Sequence, residues 1–276
     1  MSAVRGSLLR TETRRALQRR AIRVLIAIAL AGCALAGVIA YGGSVGKTEI
    51  ELRLDDEGNP AVMTDWWIAD ANEGFLAFAM FFLFLGGFFG GATVAGGEWR
   101  AGTVTTVLTW EPRRLRLHAA RSASGAILAF VISFALQVVF LASFVPAVLL
   151  NGTTEGVDGS FWVGLAVVMM RTSAITAASA VLAIALATAG RNTAFAVITM
   201  FAWLVVVEGL IRGLKPSLSR WLWGENLGTV MTWAQLETGD FARGPVLASA
   251  TLLAYCTVIV GLAAWSFQRR DVAATT

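Results

Sequence analysis

Apolar residues in this chain come in long runs and do not alternate with polar ones. Six stretches, at residues 22–42, 74–95, 125–150, 161–189, 193–211 and 245–267, are almost unbroken in hydrophobic and small side chains. Each has about the 20 residues that a helix needs, at 1.5 Å per residue, to cross a hydrocarbon core of about 30 Å. A transmembrane barrel would instead show roughly ten-residue segments of alternating polarity. The pattern predicts an all-α integral membrane protein with six transmembrane helices in a single domain, residues 1–276.

Composition agrees. With 57% hydrophobic and 14% charged residues over 276 positions, a soluble fold could not cover its apolar surface, whereas a bilayer accepts it and demands only internal backbone hydrogen bonds. The net charge of +4 does not point to nucleic acid, because the basic residues sort by membrane side and are not gathered with aromatics on one face. One side carries Arg5, Arg10, Arg14, Arg15, Arg19, Arg20, Arg23, Arg100, Arg113, Arg114, Arg116, Arg121, Arg191, Arg269 and Arg270, fifteen of the 22 basic residues. The positive-inside rule therefore places both termini in the cytoplasm of a multi-pass protein. Trp66, Trp67, Trp162, Trp221, Trp223 and Trp233 fall near the outer ends and are expected to form an aromatic belt at headgroup level.

Two short patterns lead nowhere. Residues 41–48 (YGGSVGKT) approach a phosphate-binding loop, but the glycine required five positions before the Gly-Lys-Thr is Tyr41, and an apolar helix precedes it where a strand should stand. Residues 30–33 (LAGC) match a lipoprotein cleavage box, yet apolar sequence continues to Tyr41, which reads as a span. Cys33 and Cys256 lie inside apolar runs as small hydrophobes. With His118 the single histidine and no convergent acid, base or nucleophile set, the chain reads as neither an enzyme nor a holder of cofactor or metal.

The segment joining the second and third runs is richer. After Glu98, Trp99 and Arg100 it places Val104, Val107 and Leu108 on one helical face and ends at Pro112 with Arg113, Arg114 and Arg116 following, the pattern of a short amphipathic helix. In its order of Glu98, Arg100, Gly102, Thr103, Leu108, Pro112, Arg113 and Arg114 the chain resembles the membrane-spanning subunits of the six-span, type 2 class of ABC exporters for drugs, ions and polysaccharides. The resemblance implies that this segment, Trp99 included, is a cytoplasmic coupling helix that docks into a separate ABC ATPase subunit, two copies per assembly. It further implies a second permease subunit, as homo- or heterodimer, in a bacterial plasma membrane. An N-terminal interfacial helix, with Leu8, Leu9, Ala16 and Leu17 among arginines over residues 5–20, and short outer helices between spans five and six, within residues 212–243, fit the same family. An acidic outer segment, residues 47–73, is longer than a minimal connection requires.

In the second run Gly86 with Gly90, and Gly87 with Gly91, repeat at the four-residue spacing that lets helices approach closely. They are expected at a helix-packing or dimer interface, and Phe81, Phe82, Phe84, Phe88 and Phe89 around them suit an export path for a hydrophobic or amphipathic substrate among membrane lipids. Arg171 and Glu208 sit at membrane depth, where a lone charge costs about 2.5–3.5 kcal/mol, so each needs a partner; a mutual ion pair is one solution. Two other functions fit less well: a non-transporting scaffold or sensor, and an intramembrane lipid-modifying enzyme, which would need clustered carboxylates that the sequence lacks.

Overall fold

A computed structural model describes residues 2–53, 59–67, 75–238 and 241–270. From the N-terminus, α1 (Ser2–Gln18) runs into α2 (Arg20–Ser44) across Arg19, which is extended and breaks the helix. Gly46, at φ 76°, turns the chain into α3 (Glu49–Arg53). A capping box starts α3: the Thr48 amide donates to Glu51 Oε2 at 2.6 Å and the Glu51 amide to Thr48 Oγ1 at 3.4 Å. Those bonds from Thr48 hold the exposed Glu51 carboxyl below the usual glutamate range.

After α4 (Met63–Trp66) come α5 (Phe75–Arg100), a short α6 (Val104–Trp110), α7 (Arg114–Asn151) and α8 (Gly159–Gly190). Asp158 caps α8, and hydrogen bonds from Ser160 and the Phe161 amide hold its carboxyl below the usual aspartate range. Left-handed Arg191, at φ 54°, then closes a tight turn, and Asn192 Oδ1 accepts from the Ala194 amide at 2.9 Å to start α9 (Thr193–Phe201). A π-helical stretch, Ala202–Val207, joins α9 to α10 (Glu208–Leu214). A 3₁₀ turn (Pro216–Trp221), α11 (Trp223–Thr232), the antiparallel pair β1 (Leu236–Thr238) and β2 (Phe241–Arg243), and α12 (Pro245–Arg269) complete the chain.

Among the described residues six helices are long and apolar enough to span a membrane: α2, α5, α7, α8, the α9–α10 unit and α12. An even number returns both termini to one side. On that terminal side Arg114 Nη1 donates to Phe267 O at 3.1 Å, and Arg270 Nη1 to Ala189 O at 3.0 Å, so the start of α7 and the ends of α8 and α12 meet there. On the opposite side Val62 bridges to Thr153, and Asn151 Nδ2 donates to Ser44 Oγ at 3.2 Å.

Helices α5 and α8 form the centre, with about half of each span buried (50% and 56%), against 11–22% for the other four. The outer four therefore face lipid or another chain. The two central helices meet along one of the two glycine rows: a Cβ on Gly87 would lie 2.6 Å from Thr176 O and Ser179 Oγ, and one on Gly91 would collide with the Ala180 backbone. Gly86 and Gly90 face open space. Gly91→Ala is therefore expected to destabilise the purified protein by about 1–3 kcal/mol through overpacking, and Gly90→Ala to be neutral or slightly stabilising, as read by unfolding in detergent. The α7–α8 contact has a buried polar centre, where Gln137 Nε2 donates to Met169 O at 3.2 Å and Ser173 Oγ at 3.1 Å, beside an apolar part in which Leu141 and Phe144 cluster with Leu165 and Met169.

One expectation needs correction and two gain detail. The helix that carries the third apolar run, residues 125–150, begins before it at Arg114; its 38 residues are about 57 Å long, so its basic first turns project beyond the hydrocarbon. Trp67 and Trp223 are buried core residues, not belt members: Trp67 Nε1 donates to Pro60 O at 3.1 Å, and Trp223 packs on Phe84 at 5.5 Å between ring centroids. Trp162, Trp221 and Trp233 are exposed, and the Trp66 side chain lies outside what the structure describes. The described parts of residues 47–73 are packed, with Leu52, Ala61, Val62 and Trp67 joining Phe144 and Leu165 in a core cluster.

Candidate functional site

The terminal-side junction of α5, α6 and α7 is held from beneath. Helix α5 ends in a Schellman motif, in which the Thr103 amide donates to Glu98 O at 3.1 Å and the Gly102 amide to Trp99 O at 3.2 Å. Gly102 occupies the left-handed position at φ 65°, which a residue with a Cβ adopts only with strain. The chain then enters α6 at once. Val104 and Val107 are buried against Leu117 and Phe267, with Trp99 and Leu108 packed alongside. Trp99 meets Phe267 edge-on at 6.2 Å, and the Arg191 guanidinium lies 5.0 Å over the indole. Pro112, which has no N–H to continue the helix, follows α6, and Arg114 opens α7 by donating to the last carbonyls of α12.

A buried ionic group locks this junction to the N-terminal helix. Glu98 at the end of α5 is 6% exposed, Glu12 on α1 4% and Arg121 on α7 1%. Arg19 Nη2 donates to Glu98 Oε1 at 2.9 Å and Arg19 Nη1 to Thr93 O at 3.0 Å; Arg121 pairs with Glu98 Oε2 and, at 3.7 Å, with Glu12 Oε2. Arg15 closes the rim on Glu12 at 3.2 Å, and Thr13 Oγ1 lies 3.0 Å from Ser124 Oγ of α7. Two buried carboxylates are thus neutralised by the buried Arg121 and the partly exposed Arg19, and α1, α5 and α7 must keep their relative positions for this to hold.

The outer face of α6 is different in kind. Trp110 is 85% exposed, and Thr106, Thr109, Pro112, Arg113 and Arg100 are exposed around it. The residues grouped from sequence as one docking motif therefore separate. Glu98, Trp99, Gly102, Thr103, Leu108 and Arg114 build the support, while Arg100, Pro112 and Arg113 face outward. Trp110, the most exposed large apolar side chain here, was not singled out, although its position beyond the Val104–Val107 face placed it on the outer side of a helix.

Compared with known proteins, the chain matches no family model and no curated relative.

The membrane-depth charges do not pair with each other. Glu208 is fully buried and accepts from Trp203 Nε1 at 2.9 Å, the Trp223 amide at 2.7 Å and the Gly224 amide at 2.9 Å, so it holds the N-terminus of α11. Arg212 lies 3.7 Å from the same carboxylate. The π-helical stretch widens the turn between Trp203 and Glu208, which brings both to α11. Glu208→Ala, which leaves these donors without their acceptor, is expected to cost about 1–3 kcal/mol in thermal unfolding, and Glu208→Gln less, because the amide oxygen still accepts. Arg171 lies 5.3 Å from the Trp233 ring at the C-cap of α11. On the same side, Arg243 bonds Asn226 Oδ1 at 3.0 Å and Thr251, fastening the hairpin to α11 and α12. Among the described residues no group of three or more His, Cys, Asp or Glu side chains converges to hold a metal.

Proposed function

We propose that this chain is the membrane-spanning subunit of an ABC-type exporter, with both termini in the cytoplasm of a bacterial plasma membrane. It pairs with a second permease subunit and moves a hydrophobic or amphipathic substrate outward, using ATP hydrolysed on separate subunits. The observation that carries this reading is the construction of α6. A short helix exposes Trp110 to 85% on the arginine-rich side, while its underside is packed and the helix before it is pinned by the Glu98 group. A plain connector needs neither feature. A helix that receives force from a soluble partner needs both: a surface to grip and a rigid mount on the central helix α5.

Four features support the rest. The basic residues collect on the α6 side, as the positive-inside rule requires of a cytoplasmic face. The loop residues resemble the coupling segment of this exporter class. The four peripheral spans keep most of their surface uncovered, which suits pairing within the membrane. No cluster of catalytic groups was legible in the sequence.

The test is affinity purification of the full chain from its native membrane in mild detergent, with partner identification and an ATPase assay. A co-purifying soluble ATPase with a complete phosphate-binding loop is expected. Isolation of the chain with sensor or signalling proteins only would favour a scaffold instead.

A further inference from the structure

The helices α2, α5 and α7 do not close on one another along their whole length. Away from the terminal side α2 presses on α7, where a Cβ on Gly37 would lie 2.6 Å from Ser143 O. Toward the terminal side the three helices leave a cavity of about 360 Å³, walled by Ile26 and Ala29 of α2, Gly86 and Gly90 of α5, and Leu128 and Ile132 of α7. This volume lies at the lower end of small-molecule sites.

Three observations define the occupant. First, the wall offers no free hydrogen-bonding side chain. Its polar members, Ser133 and Thr176, lie 3.2 Å apart and bond each other, and Thr176 also donates to Thr172 O at 2.9 Å. Water or a polar ligand would lose hydrogen bonds on entering, whereas a hydrocarbon would lose none. Second, the wall on α5 runs from Phe82 to Val94, about 18 Å at 1.5 Å per residue, close to the roughly 15 Å depth of one leaflet's hydrocarbon. Third, its terminal-side end is formed by Ala16 and Ile22, and the exposed Arg14, Arg15, Arg20 and Arg23 lie in the same stretch, where an anionic headgroup would sit.

We infer that this cavity is a binding site for one acyl chain of an anionic phospholipid, drawn from the leaflet on the side of the chain termini. Gly86 and Gly90 keep the space open, since a Cβ on either meets nothing within 4 Å. The occupant props α2 against α5 where the protein itself leaves them apart. The inference does not depend on the exporter reading and holds for any function of a protein spanning the membrane in this way.

The test uses the full-length protein in phosphatidylcholine vesicles containing a trace of phosphatidylglycerol that carries a mid-chain diazirine. After irradiation, adducts are expected within residues 22–29, 82–94 and 125–136. Labelling should fall on the order of tenfold, equivalent to about 1.4 kcal/mol, in Gly86→Leu/Gly90→Leu, which fills the cavity without a backbone clash. Gly90→Ala, which adds one methyl to open space, should lose labelling to a smaller degree and decides the matter if the double variant does not fold. Phosphatidylcholine with the same reactive chain should label the site less. Labelling unchanged in the glycine variants, spread evenly over the lipid-facing helices, or equal for the two headgroups would overturn the inference.

Discussion

Arg121→Ala is expected to cost about 3 kcal/mol of stability, because it leaves the buried Glu98 and Glu12 with only the partly exposed Arg19 and Arg15 to balance them. Arg121 is 1% exposed and stands between both carboxylates. Arg121→Lys keeps the charge but not the planar fork that reaches two acceptors at once, so it should fall between wild type and Arg121→Ala. Unfolding in detergent measures the loss, and a double-mutant cycle with Glu98→Gln isolates the pair, since removing both charges leaves less uncompensated than removing either. Near-additive single effects would mean that the group is not electrostatically coupled. The same change should weaken any partner that grips α6, although Arg121 does not line the outer face.

Trp110→Ala should behave in the opposite way. An indole 85% exposed contributes little to folding, so stability should stay within about 0.5 kcal/mol of wild type. Binding of the proposed ATPase subunit should weaken by about 2–4 kcal/mol, roughly 30-fold to 1,000-fold, since exposed tryptophans that fill a partner's pocket are typical anchors of an interface. Titration of purified ATPase onto the protein in lipid nanodiscs reads this directly. Arg100→Ala and Arg113→Ala, at the rim, should act mainly on the association rate and its salt dependence.

The contrast shows what the sequence could disclose. The six spans were legible because a bilayer filters strongly for length and apolarity, and α6 because Val104, Val107 and Leu108 keep helical spacing up to Pro112. The first turns of α7 lay outside the apolar run for the same reason: Arg114, Arg116 and Arg121 interrupt hydropathy without interrupting the helix, which at that level has left the hydrocarbon. Glu98 was assigned only to the coupling segment, since nothing local reports that Glu12, 86 positions earlier, and Arg121, 23 positions later, meet it. Residues this far apart meet through tertiary packing, and their spacing carries no periodic signal.

Two equal readings of one pattern also had to wait for coordinates. Gly86 with Gly90 and Gly87 with Gly91 have identical spacing but point about 100° apart on a helix of 3.6 residues per turn. One row closes on α8 and the other opens on the cavity. Glu208 was recognised as needing a partner, but besides Trp203 and Arg212 nearby in sequence its partners include the backbone amides of Trp223 and Gly224, which residue identity does not advertise. Trp67 and Trp223 were taken for interface anchors because an indole suits both a headgroup layer and a buried core with a nearby acceptor.

The coupling role of α6 is tested most directly by placing a photo-crosslinking amino acid at Thr109, exposed next to Trp110, in the full-length protein and irradiating native membranes. A discrete adduct with a soluble ATPase that carries a phosphate-binding loop is expected, reduced when Trp110→Ala removes the anchor or Arg121→Ala loosens the mount. Adducts with lipid alone, or with proteins that bind no nucleotide, would contradict that role.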